Sequence, residues 1–120
     1  MMIIIYEYPK CSTCKKAIKW LDDHNVSYEK RDIVKNPPSA QLLEKLIEDN
    51  NLMLTKVFNT SGQKYRKLNL KDKVKQMTVQ EACENYLSQD GMLIKRPVII
   101  NGDKVVFGFK EDKVRELCEG

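Results

Sequence analysis

Apolar residues cluster along this chain with two different periods, and the periods alternate. Residues 2–7 (MIIIYE) form a nearly unbroken β-branched and aromatic run. Such a run suits a central strand covered on both faces, where alternation is not required. Immediately downstream, Cys14, Ala17, Ile18 and Leu21 recur at helical spacing with lysines between them, and the pattern stops near His24 and Asn25. This predicts an amphipathic helix whose first turn contains the cysteines. Residues 26–33 (VSYEKRDI) follow after a short link and read as a second strand. A strand, a helix and a strand within about thirty residues make one right-handed βαβ unit with parallel strands.

Asn36-Pro37-Pro38 then breaks the chain, because proline lacks an amide proton and disfavours helix in the residue before it. Ser39 is a good N-cap for a helix whose apolar stripe is Leu42, Leu43, Leu46 and Ile47. Thr78 and Glu81 form a capping-box pair ahead of Val79, Ala82, Cys83, Tyr86 and Leu87, which predicts a helix over about 79–88. Between these helices, residues 56–71 show no sustained period and read as loop with short helical pieces, with a turn at Ser61-Gly62. Val98 to Ile100 and Val105 to Phe107 flank Asn101-Gly102-Asp103, and Asn-Gly is a strong hairpin signal, so these strands are expected to be antiparallel. Glu111 to Cys118 closes the chain as a helix with Val114, Leu117 and Cys118 on one side. The element order predicts an α/β fold of thioredoxin/glutaredoxin type. Its four-stranded mixed sheet would carry a helical insertion, at about 39–90, between a βαβ half and a ββα half. With no repeats or linkers, residues 1–120 are expected to form one thioredoxin-like domain.

Composition narrows the setting. No apolar run approaches the roughly 20 residues needed to cross a bilayer, so no membrane association is expected. The apolar N-terminus lacks the preceding basic residues and following cleavage site of a signal peptide, which favours a first strand and a cytoplasmic location. In a reducing compartment, four cysteines are expected to serve catalysis, redox sensing or metal binding rather than structural disulfides. The net charge of +4 comes from 21 basic and 17 acidic residues spread along the chain, an ordinary balance that gives no stripe for direct nucleic-acid binding.

The chemistry concentrates in Cys11-Ser12-Thr13-Cys14 at the junction of the first strand and first helix. Unbonded amides and the positive end of the helix dipole stabilise a thiolate there, and Lys10, Lys15 and Lys16 add positive charge. Cys14, one turn on, faces the same way and could attack a sulfur bonded to Cys11 while itself better shielded. The Ser12 and Thr13 hydroxyls could bond to helix-start amides or to a bound oxyanion. A zinc site needs four ligands and one CxxC supplies two; Cys83 and Cys118 lie in apolar helical stripes, and His24 reads as an exposed or C-terminal capping residue. No metal is expected. In LIKRPVII, residues 93–100, Pro97 precedes the hairpin. A trans bond is commoner, but a cis bond could set the Arg96 backbone against the cysteine pair; by itself Arg96 reads as a surface cation.

YPKCSTCKKA, FNTSGQKY, GMLIKRPVII and FGFKED together resemble the arsenate-reductase family of glutaredoxin-like proteins, which includes the Spx-type regulators. The resemblance implies that Cys11 is the nucleophile, that Arg96 holds an oxyanion or activates the thiolate, and that Pro97 is a cis-proline opposite the cysteines. Ser12, Thr13, Pro97 and Lys110 are the expected substrate contacts. Arsenate-reducing members carry further arginines where this chain has Phe58-Asn59-Thr60 and near Phe109; here Lys64, Arg66 and Lys110 are the nearby cations. Lysine does not reproduce the bidentate arginine fork, so a tetrahedral oxyanion should bind more weakly. Those members also often lack a cysteine at the position of Cys14.

The expected activity is therefore a thiol-dependent oxidoreduction of arsenate or a disulfide, with Cys14 as resolving thiol. No resident cofactor is expected, and the electron donor would be an external thiol such as glutathione with glutaredoxin, or thioredoxin. The alternative is an Spx-type redox-sensing transcriptional regulator that binds the RNA polymerase α subunit. The basic tail of such regulators has no counterpart after Cys118, which favours the enzyme.

Overall fold

The β-branched run near the N-terminus forms β1 (Ile3–Glu7), and β1 is the strand around which the rest of its sheet assembles. The computed structural model describes residues 2–119; Met1 and Gly120, the end residues of the expected 1–120 domain, lie outside it. The chain divides into two compact units, one made of residues up to Asp32 together with those from Arg96 on, the other of Ile33–Lys95.

The first unit contains β1, α1 (Ser12–Asp23), β2 (Tyr28–Asp32), β3 (Val98–Asn101), β4 (Lys104–Phe107) and α6 (Glu111–Glu119). Its sheet has the order β2-β1-β3-β4, with β1 and β2 parallel and the other neighbours antiparallel. This is the mixed four-stranded, thioredoxin-like arrangement expected from the element order. Ile5 pairs with Lys30 on one side and Ile99 on the other, so β1 is central, and Ile3, Ile5, Tyr6 and Glu7 are all buried. Ile3, Ile5 and Ile99 pack with Ala17, Trp20 and Leu21 of α1 and with Val114 and Leu117 of α6. Each buried aliphatic side chain contributes about 1.5–3 kcal/mol, so this cluster dominates the unit's stability. The exposed ion pairs Lys19–Asp23 at 2.8 Å and Arg115–Glu111 at 3.6 Å add little by comparison, because water and salt screen them.

Helix α1 ends at His24, which stacks on Trp20 with ring centres 3.9 Å apart. His24 Nδ1 lies 2.8 Å from the Trp20 carbonyl oxygen, an acceptor only, so Nδ1 is the donor. Asn25 takes φ 56°, its N–H donates to Asp22 O, and the Val26 N–H donates to Leu21 O at 2.9 Å. Val26 is thus consumed in closing the helix, and β2 begins at Tyr28 instead of Val26. The hairpin shifts for a similar local reason. Asn101 pairs with Lys104 inside the ladder and donates from Nδ2 to Leu117 O at 2.8 Å, leaving Gly102-Asp103 as the loop, with Gly102 at φ 63°. The antiparallel pairing is as expected; Asn101 belongs to the strand.

The second unit is helical. In α2 (Ala40–Asp49) the Ser39 hydroxyl accepts from Leu42 N–H at 3.2 Å, the cap read from sequence. The aperiodic stretch holds a 3₁₀ turn (Leu54–Lys56), α3 (Gln63–Lys67) and α4 (Leu70–Lys73). Thr78 caps α5 (Val79–Ala82) by accepting from Glu81 N–H at 3.1 Å, and the helix then widens into a π turn over Cys83–Leu87, where Ser88 N–H donates to Cys83 O. This unit reaches beyond 39–90 on both sides. Phe58 and Ile94 form an antiparallel bridge, flanked by Asn59 N–H to Leu93 O and Lys95 N–H to Val57 O, each 2.8 Å. Gly91 lies so close to the Ile33 carbonyl that a Cβ there would sit 1.9 Å from its oxygen. Among the described residues, no helix is long and apolar enough to cross a membrane.

Gly91→Ala must therefore push two backbone segments apart, whereas Gly102→Ala meets no neighbour within 4 Å and strains only a positive φ. Urea denaturation should show a loss of about 2–4 kcal/mol for the first and about 1 kcal/mol for the second. Equal losses would contradict the packing assigned to Gly91.

Candidate active site

Residues 8–11 carry the chain from the end of β1 into α1, and that turn sets both thiols. Cys11 is the N-cap of α1, with extended backbone (φ −91°, ψ 120°). Its N–H donates to Tyr8 O at 2.9 Å, and its carbonyl accepts from Lys15 N–H at 3.1 Å. The sulfur consequently sits where the unbonded amides of the first turn and the positive end of the helix dipole converge. It closes no full capping hydrogen bond, but the Cys14 amide is near enough to favour a thiolate on it. Cys14, one turn on, is completely buried, and the Tyr8 N–H donates to its Sγ at 3.5 Å.

Arg96 and Pro97 arrive from the other end of the chain. The bond between them is cis, the arrangement implied by the family resemblance, and Pro97 leads into β3, whose Val98 pairs with Tyr6 of β1. That register sets Arg96-Pro97 beside the end of β1, where Tyr8 follows. The Pro97 carbonyl accepts from Gly108 N–H at 2.7 Å, which ties this end of β3 to the residue after β4. Arg96 is half-buried, its Cζ lies 5.5 Å from the centre of the Tyr8 ring, and its guanidinium favours the charged form of the Cys11 sulfur.

These partners drive the two thiols apart. Burial alone would push the Cys11 thiol up, but the Cys14 amide and thiol, together with the hydrogen bond and charge of Arg96, outweigh it and hold Cys11 below its ordinary value. Cys14 moves the other way. Burial raises it most, and although the Tyr8 amide opposes this, the neighbouring Cys11 sulfur both accepts its proton and repels its negative charge. The first negative charge the pair acquires therefore sits on Cys11, while Cys14 keeps its proton longest. Such a pair can attack an electrophilic sulfur or a metalloid centre through one atom and hold a second thiol in reserve.

The other expected participants are placed less tightly. Ser12 is exposed and Thr13 half-exposed in the first turn of α1; among the described residues neither hydroxyl has a hydrogen-bond partner. Lys10, Lys15 and Lys16 are exposed, and the cation that acts on Cys11 is Arg96 instead. Lys110 is exposed just ahead of α6, its carbonyl accepting from Val114 N–H. In the second unit, Phe58 of the Phe58-Asn59-Thr60 loop is buried, and Lys64 is engaged by Asp90 at 2.5 Å.

The remaining cysteines lie elsewhere. Cys83 is buried in the second unit, where burial and the charges of Glu44, Glu48 and Glu84 push it up to about 12. Cys118 is half-buried on α6 and raised by burial. Both Cys11 and Cys14 are free thiols, and among the described residues no cluster of three or more His, Cys, Asp or Glu could hold a metal ion. Tyr8 is the one participant that the sequence pattern did not single out. Its only signal was an aromatic residue three positions before Cys11.

At pH 7, iodoacetamide should label Cys11 first, with Cys14 and Cys83 labelling last, as followed by peptide mass spectrometry. Arg96→Gln should slow Cys11 labelling several-fold at pH 7 and hardly at all at pH 9.5, where the thiolate is formed without help. Equal slowing at both pH values would place the effect of Arg96 elsewhere than on the thiolate.

Comparison with known proteins adds a family. The ArsC family model matches residues 6–117. YusI of Bacillus subtilis is 50% identical over 116 residues, covering 97% of this chain and 98% of its own. The crystal structure of a possible arsenate reductase from Streptococcus mutans has a TM-score of 0.88 at 48% identity, covering 95% of this chain and 98% of that one. The global transcriptional regulator Spx of Bacillus subtilis is 27% identical over 116 residues, covering 97% of this chain and 86% of its own.

Proposed function

Because the chain belongs to the ArsC family, we propose that it is a thiol-dependent oxidoreductase of the cytoplasm. Cys11 is the nucleophile and Cys14 the resolving thiol. The observation that carries this reading is the placement of the two thiols, Cys11 at the N-cap of α1 and Cys14 one turn on, completely buried, with the Tyr8 N–H on its sulfur.

In the disulfide reaction the Cys11 thiolate attacks one sulfur of the substrate, forming a mixed disulfide and releasing the other sulfur as a thiolate. Cys14 then gives up its proton, which ends on a departing thiolate or in water, and attacks the Cys11 sulfur. The Cys11–Cys14 bond forms as the second substrate thiolate leaves. Two electrons have moved from the protein to the substrate, and an external thiol, either glutathione with glutaredoxin or thioredoxin, returns them by reducing the disulfide. Ser12, Thr13 and Lys110 are the polar groups proposed to meet the substrate, and Pro97 flanks it from the β3 side.

Arsenate is the less favoured substrate. Each missing arginine would have supplied charge-assisted hydrogen bonds of about 1.5–3 kcal/mol, and a lysine tied to a carboxylate, as Lys64 is to Asp90, is a poor replacement. With comparable external thiol, Cys11→Ser should abolish turnover of a mixed glutathione disulfide. Cys14→Ser should instead accumulate the Cys11 mixed disulfide, visible by mass spectrometry. Arsenate turnover should be slower than disulfide turnover by at least about tenfold. Undiminished activity of Cys11→Ser would end this reading.

A second reading draws on the similarity to Spx, which extends over 97% of this chain and 86% of Spx. In it the Cys11–Cys14 pair is a redox switch on a regulator that binds the RNA polymerase α subunit. Capture of purified α subunit in only one redox state, by a protein inactive towards disulfides, would favour it over the enzyme.

A further inference from the structure

Three ties converge on Tyr8. Its carbonyl takes the Cys11 N–H at 2.9 Å, its N–H goes to the Cys14 sulfur at 3.5 Å, and its ring lies 5.5 Å from the Arg96 guanidinium carbon. The two backbone bonds fix the residue's position between the thiols, so the direction of its side chain is set by the same turn that sets Cys11. Two other arginines also lie over aromatic rings. Arg31 lies 5.6 Å from Tyr6 and meets Glu29, and Arg115 lies 6.0 Å from Trp20 and meets Glu111. In both, the ring holds the cation while a carboxylate takes its charge. At Arg96 the same construction recurs with the Cys11 sulfur as the anion.

We propose that Tyr8 is a positioning residue that holds the Arg96 guanidinium against the Cys11 sulfur. The inference rests on the reading of Cys11 as nucleophile and adds the group that keeps its activating cation in place. Arginine has a long side chain with several rotatable bonds and a weakly hydrated, planar head that stacks on aromatic faces. The pull of the thiolate on the guanidinium vanishes whenever Cys11 is protonated or joined in a disulfide, whereas the hold of the ring does not depend on the state of the sulfur. With the ring, the cation stays in place through those states and meets the thiolate as it re-forms. The relevant feature of Tyr8 is therefore its π face and not its hydroxyl.

The test is the pH dependence of Cys11 alkylation in the full chain. Tyr8→Leu should raise the midpoint by about half a unit to one unit, as expected from the size of a cation–π contact. Tyr8→Phe should leave it within about 0.2 unit, since a benzene face remains. In an Arg96→Gln background, Tyr8→Leu should add no further shift, because the ring acts through that arginine. Should Tyr8→Leu fail to fold, phenylalanines of increasing fluorine content at position 8 keep the ring's shape while draining its π face, and the midpoint should climb with fluorination. A midpoint insensitive to ring electronics, or a Tyr8→Leu shift that persists at full size without Arg96, would overturn the inference. A wild-type midpoint at the ordinary thiol value would instead overturn the nucleophile reading itself.

Discussion

The bond from Cys11 N–H to Tyr8 O, 2.9 Å long, closes the turn on which the placement of both thiols of the CxxC pair depends. It fixes where β1 stops and α1 starts, and so places Cys11 at the N-cap, the Tyr8 amide at Cys14, and the Tyr8 ring at Arg96. The elements on either side cannot drift to relax it. β1 is paired along both edges, and α1 is locked by Ala17, Trp20 and Leu21 in the core. A turn held between two packed elements is a rigid mount, which is what a reactive sulfur requires if its partners are to stay within hydrogen-bond reach.

The site is asymmetric because the two sulfurs share one source of burial but not one set of partners. Removal from water raises both thiols, and for Cys14 nothing outweighs it. For Cys11, the helix-start amide, the Cys14 thiol and Arg96 together reverse the sign. Each sulfur also reinforces the other's state: a charge on Cys11 makes Cys14 harder to ionise, and the Cys14 proton steadies the charge on Cys11. The residue that adds the remaining charge lies at the start of the C-terminal ββα half. The β1–β3 pairing therefore helps build the candidate site as well as the core.

The sequence was informative where local pattern and local chemistry coincide. The strand–helix junction at Cys11, the Ser39 and Thr78 caps and the antiparallel β3–β4 pair all follow from residues within a few positions of one another. What was not visible depends on distant partners or on backbone atoms. Asn101 stays in its strand because Leu117 of α6 takes its amide, and Val26 is lost from β2 to the end of α1. Phe58 and Ile94 pair although neither sits in a strand-like run, and Gly91 is required by the Ile33 carbonyl. Tyr8 carries no local signature for the same reason, since two of its three ties use its main chain and the third reaches Arg96, far along the sequence. Lys10, Lys15 and Lys16 are near Cys11 in sequence but exposed, and the cation that acts on Cys11 comes from a segment remote from them.

The central claim is that Cys11 and Cys14 ionise on opposite sides of an ordinary thiol. Its most direct measurement is a residue-resolved NMR titration of the cysteine β-carbons in the reduced protein. The expected result is a Cys11 transition below about 8.5 and a Cys14 signal that stays protonated well above it. Transitions of both residues near the ordinary value, or the reverse order, would contradict the assignment of nucleophile and resolving thiol.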